Sequence, residues 1–315
     1  MLTRRLTLAS ALAAPAVLAQ TRAATLMVGF APGGGTDIIS RLLVPRMSEE
    51  LGQSVVVENR PGASGTLAAI ATARARPDGY TMLMGTVSTQ AVVAPLMPVP
   101  PYDQMTDFTP VTLAATVPLV LVVPKDSPAK DLAGLLALAK AKPGTLNYGS
   151  SGVATQQHLA AELLARSAGV EMTHVPYRGT GQVVNDILAG RLDFVIDTLP
   201  THLPHIRAGA SRALATTLPQ RVAWLPDVPA VAETVPGFDM SVWYMLLGPG
   251  GLPDPLTARW SAAANAALSD PAIRARVTEA GFIPGGGSPA DAATLVRREA
   301  ERYAALVRDA NIRLE

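Results

Sequence analysis

The sequence predicts an α/β protein of two lobes with a ligand cleft between them, and three observations carry that prediction. At 315 residues the chain is longer than one compact core usually holds. Short apolar, strand-like runs alternate with helix-period segments, the pattern of βα units built on parallel sheets. The pattern then restarts after Pro124, and each half contains a strand that runs into a glycine-rich turn and a helix start.

The elements follow in order. Residues 1–23 have the form of an export signal: Arg4 and Arg5 make a positive start, Leu6 to Leu18 a short apolar stretch broken by Pro15, and Ala19 and Ala23 supply small residues for cleavage. The stretch is shorter than the roughly 20 residues needed to cross a bilayer. Thr3-Arg4-Arg5-Leu6-Thr7-Leu8 fits the general secretory route and the twin-arginine route alike. The mature protein is therefore expected to be soluble and exported.

Leu26 to Phe30 forms the first strand, followed by Pro32-Gly33-Gly34-Gly35 and a helix from Thr36-Asp37 whose apolar face is Ile38, Ile39, Leu42, Leu43 and Met47. Val55 to Val57 is a second strand, closed by Asn59-Arg60-Pro61-Gly62. A small-residue helix from Ser64 to Ala75 leads through Arg76-Pro77-Asp78-Gly79 to a strand from Tyr80 to Met84, which ends at Thr86 and Ser88. Val111 to Pro124 is apolar but too short to span a membrane, and with Pro118 inside it reads as a buried strand.

In the second half, Leu132 to Lys140 is helical. A strand through Leu146 to Tyr148 runs into Gly149-Ser150-Ser151-Gly152 and a helix through His158 and Leu164. A strand ending at His174-Val175-Pro176-Tyr177, a helix from Val183 to Leu188 and the strand Phe194 to Ile196 follow. Pro226 to Phe238 is a proline-rich connector. Two helices, Leu256 to Leu268 and Ala290 to Val307, complete the tail.

Composition narrows the function. Hydrophobic residues make up 49% and charged residues 16%, a globular balance. A net charge of +1 without blocks of like charge gives nucleic acid and anionic membranes no electrostatic hold. With no cysteine, thiol catalysis, disulfides and cysteine-ligated zinc are excluded.

Two segments carry chemistry. In Pro32 to Asp37 the glycines let backbone approach a ligand closely, and the helix start offers free N–H groups and a positive dipole end, which together favour an anion. Gly149-Ser150-Ser151-Gly152 with Thr155 repeats this with added hydroxyls. Either turn alone is equally a helix cap. Two at matched positions in facing lobes can grip an anion from both sides.

Other chemistries lack their spacing. No phosphate-loop G-x-x-x-x-G-K-[ST], dinucleotide G-x-G-x-x-G or nucleophile-elbow G-x-S-x-G occurs. Ser150, His158 and Asp197 share only residue types with a catalytic triad. His202 and His205 stand three apart without acidic company, so no metal site is expected. Asp37, Asp186, Asp193 and Asp197 suit caps and hydrogen-bonding roles. Trp243-Tyr244 suits core packing, or alternatively a wall of the cleft.

Taken in order, Phe30-Ala31-Pro32-Gly33-Gly34-Gly35-Thr36-Asp37, Val57-Glu58-Asn59-Arg60-Pro61-Gly62-Ala63-Ser64-Gly65, Arg76-Pro77-Asp78-Gly79-Tyr80-Thr81, Tyr148 to Gly152, His174 to Gly179, Pro226 to Pro229 and Pro236-Gly237-Phe238 resemble the Bug (tripartite tricarboxylate transporter) family of periplasmic substrate-binding proteins over nearly the whole mature chain. The resemblance implies a type II periplasmic binding protein fold, with residues 25–124 and 240–315 in one lobe and 125–239 in the other. It implies a periplasmic, monomeric binder of a small mono- or dicarboxylate, without cofactor or catalytic residues, that serves the membrane permease subunits of such a transporter. Carried over, ligand contacts fall on Phe30, Gly33, Gly34, Thr36, Asp37, Thr86 and Ser88 in one lobe. In the other they fall on Ser150, Ser151, Thr155, His158, Tyr177 and Asp197. Gly29, Ala154, Gln156 and Arg178 depart from the family's usual residues. A sensory role beside a receptor kinase and an enzyme on the same fold are the alternatives.

Overall fold

The computed structural model describes residues 22–96 and 99–309. Arg4, Arg5 and the apolar stretch of the expected export signal lie outside the described residues. The strands are β1 (Ala24–Val28), β2 (Val55–Asn59), β3 (Thr81–Thr86), β4 (Phe108–Pro124), β5 (Asn147–Ser150), β6 (Thr173–Pro176), β7 (Phe194–Thr198), β8 (Ser211–Thr216), β9 (Ser241–Pro249) and β10 (Ile283–Gly286). The helices are α1 (Gly35–Leu51), α2 (Thr66–Ala73), α3 (Val93–Leu96), α4 (Leu132–Ala141) and α5 (Gln156–Ala168). They continue with α6 (Thr180–Leu188), α7 (Leu199–Arg207), α8 (Asp254–Ser269), α9 (Pro271–Glu279) and α10 (Pro289–Asp309).

Strand order along the sheet is β2-β1-β3-β9-β4-β7-β5-β6, with β8 and β10 also paired to β4. In one half β1 runs parallel to β2 and β3; in the other β5 runs parallel to β6 and β7. The long strand β4 joins the halves. Its residues up to Pro118 pair antiparallel with β9, and those from Leu119 pair with β7 and β8. This explains the apolar run seen in the sequence: Val117 and Leu119 to Val123 are all fully buried, as expected of a strand covered on both faces.

The change of partners at Pro118/Leu119 sits beside the return passage of the chain. Thr217 Oγ1 accepts from Leu119 N (2.9 Å) and donates to Met240 O (2.6 Å), while Met240 N donates to Thr217 O (3.0 Å). These two neighbouring passages are what tie the halves together through the sheet.

Helix boundaries follow local chemistry. In α1 the residues Ile39, Leu43, Met47 and Leu51 are buried at four-residue intervals, and Gly52 ends the helix at φ 57° with its N–H on the last turn. Asp131 caps α4 and Thr155 caps α5 through their side chains.

The structure departs from the sequence reading at several places. Ala63 and Ser64 adopt left-handed φ of 45° and 56°, so the helix expected from Ser64 starts as α2 at Thr66. The tail holds α9 between the two expected helices, because the Asp270 carboxylate caps Ala272 N and Ile273 N and Pro271 opens a new first turn. Pro284 to Gly286, in the proline- and glycine-rich stretch between the two expected helices, pairs with β4. A Cβ at Gly285 would collide with the Leu113 carbonyl, so the glycine permits that approach.

Candidate functional site

The carboxyl ends of β1, β3, β5 and β7 and the helix starts that follow them meet in one cleft, where open α/β sheets bind ligands. Its inner part is a cavity of about 20 Å³, room for one water-sized group. On the β1–β3 side it is lined by Phe30, Gly34, Gly35, Thr36, Thr86 and Ser88. On the β5–β7 side Ser151, Gln157, Thr180 and Thr198 line it, and β9 contributes Val242 and Tyr244. An outer pocket of about 270 Å³ shares Phe30 and Ser151 and adds residues 62–65, Val153, Pro176, Tyr177 and Arg178.

Three helix N-termini converge on the inner cavity. The N-caps Gly34 of α1, Gly179 of α6 and Thr198 of α7 all lack a side-chain cap, and Gly35, Thr36, Thr180 and Thr198 line the cavity. The first turns of a helix leave N–H groups without intrahelical partners, and the dipole places partial positive charge there. Among the described residues no charged side chain lines this inner cavity. Ser151 Oγ is buried with no hydrogen-bond partner. Backbone dipoles and an unengaged hydroxyl therefore make a seat for an anion, without a counter-ion side chain.

The α1 entry loop is pinned from behind. Asp37 accepts from Gly33 N (3.0 Å), Arg41 Nε (2.9 Å) and Asn59 Nδ2 (3.0 Å), and Asn59 Nδ2 also reaches Phe30 O (3.1 Å). Burial alone would raise the Asp37 pKa; hydrogen bonds from Arg41, Gly33 and Asn59, with the Arg41 charge, outweigh it and hold the carboxyl below its ordinary value. Gly35 must lack a side chain, since a Cβ there would collide with Tyr244 Oη. The Tyr244 hydroxyl lies beside Thr198 and Thr36, and burial pushes its pKa well up, so it stays a neutral hydroxyl.

The two sides touch across the cleft. Ser64 Oγ donates to Val153 O, and Gln156 N donates to Ser88 Oγ (3.1 Å). A Cβ on Gly179 would lie 2.8 Å from the Ala31 side chain, so glycine is needed for this close approach.

The sequence profile of the tripartite tricarboxylate transporter family receptor matches residues 39–312. The chain belongs to this family. BugT of Bordetella pertussis is 35% identical over 292 residues, covering 92% of this chain and 90% of BugT. Among solved structures, Rpa4515 of Rhodopseudomonas palustris with adipate is 38% identical, with a TM-score of 0.90 over 93% of this chain and 98% of that one. MatC from the same organism with bound malate is 34% identical, with a TM-score of 0.87 over 91% and 99%. The type II periplasmic binding protein fold is thus the fold of this receptor-family chain.

Within this family member, the structure sorts the residues picked from sequence. Phe30, Gly34, Thr36, Thr86, Ser88 and Ser151 line the inner cavity, and Tyr177 lines the outer pocket while its hydroxyl donates to Asp186 (2.6 Å). Gly33 lies in the loop and Asp37 behind it, joined as described, and neither lines a pocket. Ser150 turns away: its Oγ meets His174 Nε2 (2.6 Å) and Gly152 O (3.0 Å). Thr155 caps α5, its Oγ1 donating to Gly152 O (2.7 Å) and accepting from His158 N. The His158 ring accepts from Ala154 N (3.3 Å) and stacks on His174 at 4.0 Å. Asp197 lies beneath the cavity, bonded to Gln157, Thr198 N and His202.

Ser150, Thr155 and His158 therefore bond within the turn after β5, Asp197 stands beneath the cavity on β7, and none of the four lines either pocket. In the second half of the sheet the hydroxyls at the cavity come from Ser151, Thr180 and Thr198. The sequence held signals for the last two: Thr198-Leu199-Pro200 is a capping residue before an early helix proline, and Gly179-Thr180-Gly181 is another glycine-flanked helix start. Nothing local marked Gln157; Tyr244, which the sequence offered to core packing or to a wall of the cleft, lines the cavity, and both residues belong to a helix and a strand that reach it only through folding. Among the described residues no cluster of metal-ligating side chains occurs, and no helix is long and apolar enough to cross a membrane.

Proposed function

We propose that this protein is an extracytoplasmic binding protein that captures a small mono- or dicarboxylate and delivers it to the membrane subunits of a tripartite tricarboxylate-type transporter. The observation that carries this reading is the convergence of three uncapped helix N-termini on a cavity without charged side chains. That arrangement suits a carboxylate, whose charge is spread over two acceptor oxygens that backbone N–H groups and hydroxyls can share.

One oxygen of the ligand's anionic end enters the inner cavity, and the outer pocket takes the rest of the ligand. Residues 25–124 with 240–315 form one lobe and 125–239 the other, and they close on the ligand about the passages at Leu119, Thr217 and Met240. The cross-cleft bonds from Ser64 and Gln156 are contacts of the closed state. A ligand shifts such an equilibrium only by binding one state better, and a carboxylate that bridges the helix starts of both lobes does so. Adipate in Rpa4515 and malate in MatC support a carboxylate as the ligand. The N-terminal signal supports export to the periplasm, and among the described residues lining the cavity there is no nucleophile–base pair to support turnover.

Thermal unfolding in the presence of a panel of carboxylates tests the reading, since a saturating ligand stabilises the folded state by RT ln(1 + [L]/Kd). A carboxylate that raises Tm and is recovered chemically unchanged is the expected result. No shift with any member, or conversion of the ligand detected by mass spectrometry, overturns it.

A further inference from the structure

The inner cavity presents an acceptor that a carboxylate alone cannot satisfy. Gln157 is 7% exposed and lines the cavity. Its Nε2 donates to Asp197 Oδ1 at 3.1 Å. Which way the amide faces is settled by its partner. Asp197 also receives Thr198 N (2.6 Å) on Oδ1 and faces His202 Nε2 (3.2 Å) on Oδ2, so it acts as an acceptor throughout and must meet the NH₂ end of the glutamine. The carbonyl Oε1 of Gln157 takes no hydrogen bond from the described residues, and Gln157 shares the cavity with Ser151, whose Oγ is buried and unpartnered.

A carboxylate oxygen placed against Gln157 Oε1 would set two acceptors together. The ligand therefore needs a donor close to its carboxylate. An ammonium group is poorly served, because no carboxylate lines the inner cavity and Asp197 is already engaged by three donors. A neutral hydroxyl is well served. The cavity of about 20 Å³ admits one such group, so a hydroxyl that enters it must stand within a bond or two of a carboxylate held at the helix starts around its mouth.

We propose that Gln157, turned by Asp197, is the specificity-determining residue of the site and selects a 2-hydroxy carboxylate over its deoxy counterpart. The inference rests on the carboxylate reading above and deepens it. The family relationship leaves the choice open, since adipate lacks a hydroxyl and malate carries one.

The test is calorimetric titration of the purified protein with two matched pairs, malate against succinate and lactate against propionate. The hydroxy member should bind at least about tenfold tighter in a pair that binds, the usual scale of discrimination when a site's polar group would be left unpaired. In Gln157→Met, which keeps side-chain length without the amide, the ratio of hydroxy-acid to deoxy-acid affinity should fall to about one. Binding of the deoxy acid also reports that the variant is folded. Equal affinity within each pair for the wild-type protein, or an unchanged ratio in Gln157→Met, overturns the proposal; the wild-type ratio decides alone if the variant does not fold. Failure of all four acids, and of every other carboxylate in the thermal panel, overturns instead the carboxylate reading beneath it.

Discussion

Gln156 N donates to Ser88 Oγ at 3.1 Å, joining the first turn of α5 to the segment after β3 on the opposite wall of the cleft. The same glutamine, fully buried, sends Nε2 to Ser241 O (3.1 Å) at the start of β9 and to Tyr303 Oη on α10. One residue of the middle segment thus reaches three elements contributed by the chain's two ends. Gln156 is thereby a clasp across the cleft.

Replacing Gln156 by Ala removes those side-chain bonds and leaves Tyr303 Oη and the Ser241 carbonyl without this partner. Unfolding free energy should fall by about 1–3 kcal/mol, the usual cost of stranding buried polar groups. Ligand release, followed by stopped-flow fluorescence, should quicken by roughly tenfold if the lost bonds favour the closed state by about 1.4 kcal/mol. An unchanged release rate would show that the clasp does not contribute to closure.

Removing hydroxyls separates the wall of the cavity from its scaffold. Ser151→Ala and Thr180→Val should each weaken carboxylate binding by about five- to tenfold, the scale of a single hydrogen bond to a charged group. Ser150→Ala should leave affinity within about twofold while lowering stability by about 1 kcal/mol, because its hydroxyl serves His174 and the Gly152 turn. Titration calorimetry beside urea unfolding distinguishes the two effects, and the reverse ranking would overturn the assignment.

Gly35→Ala should damage the site through shape alone. The added methyl meets Tyr244 Oη, which is itself packed beside Thr36 and Thr198, so neither neighbour can yield without opening the cavity wall. A destabilisation of about 1–3 kcal/mol with loss of ligand binding is expected, typical of overpacking. Near wild-type affinity would mean that the tyrosine moves freely.

Acid should weaken the protein before its carboxylates titrate. Burial and the neighbouring His158 push the His174 pKa down to about 3, and burial lowers His158 as well, against a rise from Glu162. A histidine kept neutral when folded binds its proton more readily when unfolded. Stability is therefore full above about pH 6.5, the ordinary histidine value, and declines as pH falls from there towards about 3. The urea midpoint should drop between pH 7 and 5, and His174→Asn should flatten that dependence. A midpoint level across this range would show that the stacked rings do not titrate as described.

The sequence by itself determined the βα grammar, the apolar β4, the glycine-rich entry to α1 and the family. Each of these is written in residues adjacent along the chain: glycines before a helix start, alternating apolar runs, caps. The first wall of the cavity was legible for that reason, since Phe30 to Thr36 act through backbone conformation fixed within one loop. The second wall was not. Ser150 and Thr155 have the right chemistry in the right turn, but the turn spends both hydroxyls on its own geometry, through His174 and Gly152. The folded chain decided which groups remain free. Parallel pairing of β5 with β7 brings Thr198 and Asp197 beside Ser151, and β9 carries Tyr244 in from beyond residue 240. The turning of Gln157 by Asp197 spans 40 positions of sequence. A local signal specifies which hydrogen-bonding groups are present; competition among partners brought together by tertiary contacts specifies which of them a ligand finds unoccupied.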